Sequence, residues 1–218
     1  MIYTVIAGSG SYLPARIIPN SDFESSTFYE SSGIKIDRPI KEIIEKFQQI
    51  TGIYERRYVE DHMVSSDLAH LAAEKALSNA GINKEELDYI IVAHNFGDVK
   101  AGTTHVDIVP TLAARVKFKL GITNPNTIAY DLPFGCPGWL QGVIQANYYI
   151  KSGDAKNILV IGSETLSRIS DPFDRDSMIY SDGAGAVVLS AVESEIPVGI
   201  LSHGTRSDAI DHVFLLKM

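Results

Sequence analysis

One sulfur atom is the most reactive group the sequence offers. Cys136 is the single cysteine, so it has no internal disulfide partner and no second thiol with which to hold a metal. It stands in Pro133-Phe134-Gly135-Cys136-Pro137-Gly138, between an apolar run at Thr127–Leu132 and a helical pattern from Trp139 to Ile150. Proline is tolerated at the first helical position, where its missing N–H loses no bond, so Pro137 predicts the helix start. A thiol just before a helix meets unpaired N–H groups and the positive end of the helix dipole, which favour the thiolate. Gly135 and Gly138 leave room for a substrate, and the N–H groups of the turn suit an oxyanion. An isolated cysteine is also a common small apolar core residue; the strand-to-helix elbow is what marks this one as a nucleophile.

The other candidates are weaker. His94 follows the apolar run Ile90–Ala93, where strand ends of a parallel sheet gather, and a hydrogen-bonded structural role is preferred for it over that of a base. His62, His70, His105, His203 and His212 show no ligand spacing with carboxylates, so no metal site is predicted. Asp182-Gly183-Ala184-Gly185-Ala186 lacks the Lys-Ser/Thr ending of a phosphate loop and precedes a β-like run, which predicts a tight turn beside the site. Arg168 and Arg175 flank Asp171 and Asp174, and surface ion pairing accounts for both arginines on sequence alone.

These groups need elements to position them. Strands are predicted at Ile2–Ala7, ending at Gly8-Ser9-Gly10, and at Ile90–Ala93, Thr127–Leu132 and Asn157–Gly162. A closing antiparallel pair is predicted at Val187–Val192 and Val198–Leu201. Ser21–Arg38 reads as an inserted surface loop, and a glycine-containing loop spans Asn95–Thr104. One helix opens at Pro39, with Ile40, Ile43, Ile44 and Phe47 on one face; a second is capped by Ser65 or Ser66 and stops at Gly81. A third runs from Val109 to Leu120 before Gly121, and the fourth ends near Ser152-Gly153. Strands alternating with helices of this length predict βαβ crossovers in an α/β fold. The fourth helix carries no charge from Trp139 to Ile150, which predicts burial on both sides. No second layer is evident in the sequence, so a missing half or a partner subunit is expected there.

Composition narrows the classes. The 218 residues carry 19 Lys+Arg and 27 Asp+Glu, a formal net charge of −8, and 45% are apolar. That is enough apolar material for a core, and without a basic run nucleic acid is not an expected partner. No apolar stretch approaches the ~18 residues that span a bilayer, and the N-terminus has no signal-peptide pattern. A soluble, cytoplasmic protein with no membrane partner is the expectation.

Five segments together are more specific. They are Gly8-Ser9-Gly10-Ser11-Tyr12-Leu13-Pro14; Thr51-Gly52-Ile53 with Glu55-Arg56-Arg57; Asp131 to Trp139 around Cys136; Asp171-Pro172-Phe173-Asp174-Arg175; and Ser181-Asp182-Gly183-Ala184-Gly185-Ala186. In this order and spacing the chain resembles the N-terminal half of the β-ketoacyl-acyl-carrier-protein synthase III family of thiolase-superfamily condensing enzymes. The resemblance implies one half of a thiolase-like fold: a mostly parallel, mixed five-stranded sheet with helices on both faces. Residues 1–218 would form that N-terminal domain, with insertions near 21–38 and 95–107 and the C-terminal half of the fold absent.

The resemblance also implies an acyltransferase of fatty acid biosynthesis. Cys136 would accept an acyl group from acyl-CoA and condense it with malonyl-acyl-carrier protein by decarboxylation, with acyl-CoA as substrate and no separate cofactor. Arg175 matches the family's CoA-adenine contact, Thr51 a position near the nucleotide, and Leu166 the acyl pocket. Val109 matches a residue extended into the neighbouring subunit's pocket, implying a homodimer. The family's aromatic adenine platform falls on Lys46, with Phe47 one place later, and a neighbouring arginine on Ile50; a different primer or carrier-protein delivery would fit these departures. The family's catalytic His and Asn lie in the second half, so this stretch alone is expected to be incomplete for condensation. The alternatives are a non-catalytic thiolase-like dimerisation or binding module, and a related synthase making a specialised lipid, polyketide or hydroxymethylglutaryl-type product.

Overall fold

Residues 1–211 are described in the computed structural model. The first strand, β1 (Ile2–Tyr12), does not stop at Gly8-Ser9-Gly10 but runs through it, with a register slip between Ile6 and Gly8. The cause is a close approach. A Cβ on Gly8 would lie 2.4 Å from the Ala80 backbone nitrogen, and one on Gly10 the same distance from the Ala72 carbonyl oxygen. Glycine lets the helix Ser65–Ala80 lie directly on the strand.

The chain continues through β2 (Arg16–Pro19), α1 (Ile40–Thr51), β3 (Glu55–Tyr58), α2 (Ser65–Ala80), β4 (Tyr89–His94), β5 (Asp98–Val99), β6 (Val106–Asp107), α3 (Leu112–Lys119), β7 (Ile128–Pro133), α4 (Gly138–Ser152), β8 (Asn157–Glu164) and β9 (Gly183–Glu193). The main sheet has the order β1-β9-β8-β4-β7. Strand β4 is parallel to β7 and β8, whereas β9 is antiparallel to both β8 and β1. Four of the five strands therefore share one direction, as expected of a mostly parallel mixed sheet.

Alternation along the central strands feeds two cores. Ile90, Val92, Leu159 and Ile161 pack with Leu68, Ala72, Leu112 and Val116 of α2 and α3. Ile91, Ile158 and Val160 pack with Val143, Ala146 and Ile150 of α4 on the opposite face. Burial on both faces explains why these strands read as continuous apolar runs.

Several boundaries differ from expectation. Val64, not a serine, caps α2, its N–H donating to the Asp67 carboxylate at 2.8 Å. Ser66 instead binds Asp98 through both its N–H and its hydroxyl at 2.7 Å, and Ser65 donates to Ser163. Helix α3 starts at Leu112 rather than Val109, because the Thr111 hydroxyl accepts from the Ala114 N–H and sets the cap. Pro137 is the cap of α4 rather than its first residue. Val198–Leu201 forms no strand: Gly199 adopts φ +66°, breaking the extended run, and only Ile200 bonds back to the Thr4 carbonyl. Its expected partner segment lies in β9, which pairs with β1 and β8 instead.

The segment 21–38 has only local structure, a short 3-10 turn at Asn20–Phe23 and one bridge between Tyr29 and Lys35, pinned by buried Phe28 against Ile44 and Met178. Segment 95–107 holds the two-residue pair β5–β6. Helix α4 packs on the sheet with one face, while Leu140 and Tyr148 on its other side remain half exposed. Among the described residues no helix is long and apolar enough to cross a membrane.

Candidate active site

Strands β7, β4 and β8 lie in register, with Leu132 beside Ala93 and Ala93 beside Gly162. Their C-terminal ends therefore open on one edge, bringing together His94, Asn95, the 134–137 turn and Glu164. The turn is tight: Gly135 takes φ +78°, which favours glycine, and the Gly138 N–H donates to its carbonyl at 2.9 Å. Cys136 is exposed at the head of α4, not sealed in the core.

His94 is committed elsewhere. Its Nδ1 accepts from the Gly97 N–H at 3.0 Å, so Nε2 carries the proton and donates to Asp131 Oδ2 at 3.0 Å. Asp131 also accepts from the Leu112 and Ala113 N–H groups, at 2.7 and 2.8 Å, neutralising the start of α3. Both imidazole nitrogens are occupied, which fits the structural role preferred for His94.

Two residues missed in the sequence stand next to the turn. Glu164 Oε2 accepts from Asn95 twice, from the backbone N–H at 2.6 Å and from Nδ2 at 2.8 Å. Burial pushes the Glu164 carboxyl up from its usual range, against the opposing pull of these Asn95 bonds. Neither residue is unusual in type; the only available signal was that each lies two residues beyond the end of a predicted strand.

Leu166 opens a short 3-10 turn on the same edge, after β8. Asp182 fixes that turn, accepting from the Ser167 N–H at 3.0 Å, the Ser167 hydroxyl at 2.5 Å and the Val59 N–H at 2.8 Å. Burial raises its carboxyl, opposed by these bonds. Gly183-Ala184-Gly185-Ala186 is therefore not the expected tight turn but the start of β9, paired with the end of β8, and Asp182 before it braces the loop carrying Leu166. Arg168 is spent on main-chain carbonyls, including Glu60 at 2.8 Å and Val99 at 3.3 Å.

Thr51 and Arg175 line one groove of 570 Å³ together with Arg38, Lys46, Phe47 and Ile50. Its walls are largely apolar, and the cations Arg38, Lys46 and Arg175 are matched there by the carboxylates of Glu30, Glu42 and Asp176. The Thr51 hydroxyl itself closes α1, donating to the Phe47 carbonyl at 2.8 Å and accepting from the Ile53 N–H at 3.1 Å. Arg175 is half exposed, its Nε 3.8 Å from Asp176, and it also borders a groove of 680 Å³ beside Tyr29 and Phe173. Burial raises the Tyr180 phenol at the end of the Arg175 turn, and charge at Asp174 and Asp176 adds to that. Val109 is apart from all of these: it is 81% exposed, between β6 and α3, and lines neither groove. Among the described residues no cluster of three His, Cys, Asp or Glu could hold a metal; His212 lies outside them.

Sheet order and helices on both faces define an α/β fold of the thiolase-like type. The 3-oxoacyl-[acyl-carrier-protein] synthase III of Aquifex aeolicus VF5 superposes with a TM-score of 0.70 at 34% identity, over 88% of this chain and 55% of that one. The priming β-ketosynthase of the R1128 polyketide pathway gives 0.71 at 26% identity, over 89% and 51%. A family model described as 3-oxoacyl-[acyl-carrier-protein] synthase III matches residues 130–209. Among curated relatives, the β-ketoacyl-[acyl-carrier-protein] synthase III of Xanthomonas campestris is 38% identical over 209 residues, 95% of this chain and 56% of the relative. That of Neisseria meningitidis serogroup A is 42% identical, over 95% and 58%. In sequence and fold the chain matches the N-terminal half of the β-ketoacyl-[acyl-carrier-protein] synthase III family, and it spans just over half the length of these relatives.

Proposed function

We propose that this chain is the nucleophile-bearing half of a β-ketoacyl-acyl-carrier-protein synthase III-type condensing enzyme of fatty acid biosynthesis. The Cys136 thiolate, its proton already given to solvent, attacks the carbonyl of an acyl-CoA; the C–S bond to CoA breaks as the new thioester forms, and CoA leaves as a thiolate that takes up a proton from solvent. In the whole enzyme, malonyl-acyl-carrier protein then loses CO2, and its carbanion attacks the S-acyl carbonyl, giving the 3-ketoacyl-carrier protein and regenerating the thiolate. Residues 1–218 supply the first transfer, and the family's His and Asn that assist decarboxylation belong to its second half. The observation that carries this reading is the exposed Cys136 at the head of α4.

The remaining roles follow from it. Arg175 and Thr51 border the groove that takes the CoA end, Arg175 through its guanidinium and Thr51 as part of the wall. Leu166 borders the acyl group. Val109, projecting outward, serves the partner's acyl pocket in a homodimer. A working thiol must stay reduced, which suits the cytoplasm.

Incubation with acetyl-CoA followed by mass spectrometry tests the assignment. An acetyl adduct on Cys136 that is lost in Cys136→Ser is expected. An adduct of equal strength in the variant overturns the nucleophile.

A further inference from the structure

Asn95 carries an acceptor that nothing on the sheet edge uses. A carboxylate can only accept hydrogen bonds, so Glu164 forces the nitrogen of the Asn95 amide towards itself and the oxygen away. Two bonds to one carboxylate oxygen, at 2.6 and 2.8 Å, hold both the Asn95 main chain and its side chain. The freed oxygen faces the nucleophile turn: a Cβ built on Gly135 would lie 3.8 Å from Asn95 Oδ1. Among the described residues no donor reaches that oxygen. His94, the neighbouring polar group, is already spent on Gly97 and Asp131.

We propose that Asn95 is a substrate-orienting residue, locked by Glu164, whose carbonyl oxygen accepts a hydrogen bond from an amide N–H on the arm of the incoming thioester. CoA and carrier proteins present their acyl groups on the same arm, with a secondary amide two methylenes from the thioester sulfur. That spacing sets the N–H a few ångströms from the carbonyl Cys136 attacks, where an acceptor fixed beside residue 135 meets it. Such a contact aligns the carbonyl for attack and does not depend on what lies at the far end of the arm. Glu164 touches no substrate; it is a positioning residue acting through Asn95. The inference rests on the acyl-transfer reading above.

Two small thioesters separate this role from a general loosening of the turn. S-acetyl-N-acetylcysteamine keeps the amide two methylenes from sulfur, and S-propyl thioacetate lacks it. Cys136 acetylation is followed by mass spectrometry, with iodoacetamide labelling and thermal melting as controls for the fold. Asn95→Ala should slow transfer from the amide-bearing thioester about five- to tenfold, the range of one neutral hydrogen bond, and change the amide-free one less than about twofold. Glu164→Ala should behave like Asn95→Ala, while Glu164→Gln, which still accepts both Asn95 bonds, should restore the preference. Equal slowing of both thioesters, or none of either, overturns the proposal while leaving acyl transfer standing. A wild-type chain that accepts neither acetyl group overturns the acyl-transfer reading and this one with it.

Discussion

Glu164 also has a thermodynamic signature. Burial holds its carboxyl above the usual range in the folded chain, while the unfolded chain titrates it near about pH 4. Between those two values the native state binds more protons, so rising pH lowers stability until the folded group has ionised. Glu164→Gln removes this dependence. Its melting temperature relative to wild type should be lowest below about pH 4, climb as pH passes through the folded value, and level off above it. A difference that is flat, or that falls with pH, would show that the carboxylate is not desolvated. Legibility at this scale follows chain distance. Cys136 could be read directly because Gly135, Pro137 and the uncharged helix after it are its sequence neighbours. The Glu164–Asn95 pair spans 69 residues and becomes a unit only when parallel strands bring their ends together.

Glycine marks a similar divide among the elements. Gly10→Ala places a methyl group 2.4 Å from the Ala72 carbonyl oxygen and the Ala76 nitrogen, and both of those are backbone. Helix α2 must shift off β1, so a loss of several kcal/mol is expected, beyond the ~1–3 kcal/mol of ordinary overpacking. In a urea titration Gly204→Ala, with open space around it, should unfold close to wild type; equal stability of the two variants would refute the close approach. The sequence shows these glycines as a strand end because Gly-Ser-Gly ordinarily punctuates a turn, and no local pattern reveals a helix 60 residues later lying across them. Helix stops at Gly81 and Gly153 were legible, each taking a left-handed cap. The start of α2 was not, because Ser65 and Ser66 resemble caps while their hydroxyls serve Ser163 and Asp98.

At the scale of the molecule, α4 sets the remaining question. A helix on the outside of a water-soluble domain normally carries a charged stripe. This one has none before Lys151, and Leu140 and Tyr148 are 53% and 56% exposed on the side away from the sheet. The relatives it matches are nearly twice as long, and we propose that their second half packs on this face, making α4 the middle of the whole molecule. The isolated 218 residues should then bind an apolar dye strongly and sediment as concentration-dependent associates. Leu140→Lys with Tyr148→Lys should weaken both effects while sparing the sheet, since neither side chain belongs to the core beneath α4. A wild-type chain that stays monomeric with weak dye binding would mean that this face tolerates water, and the buried-helix architecture would fall.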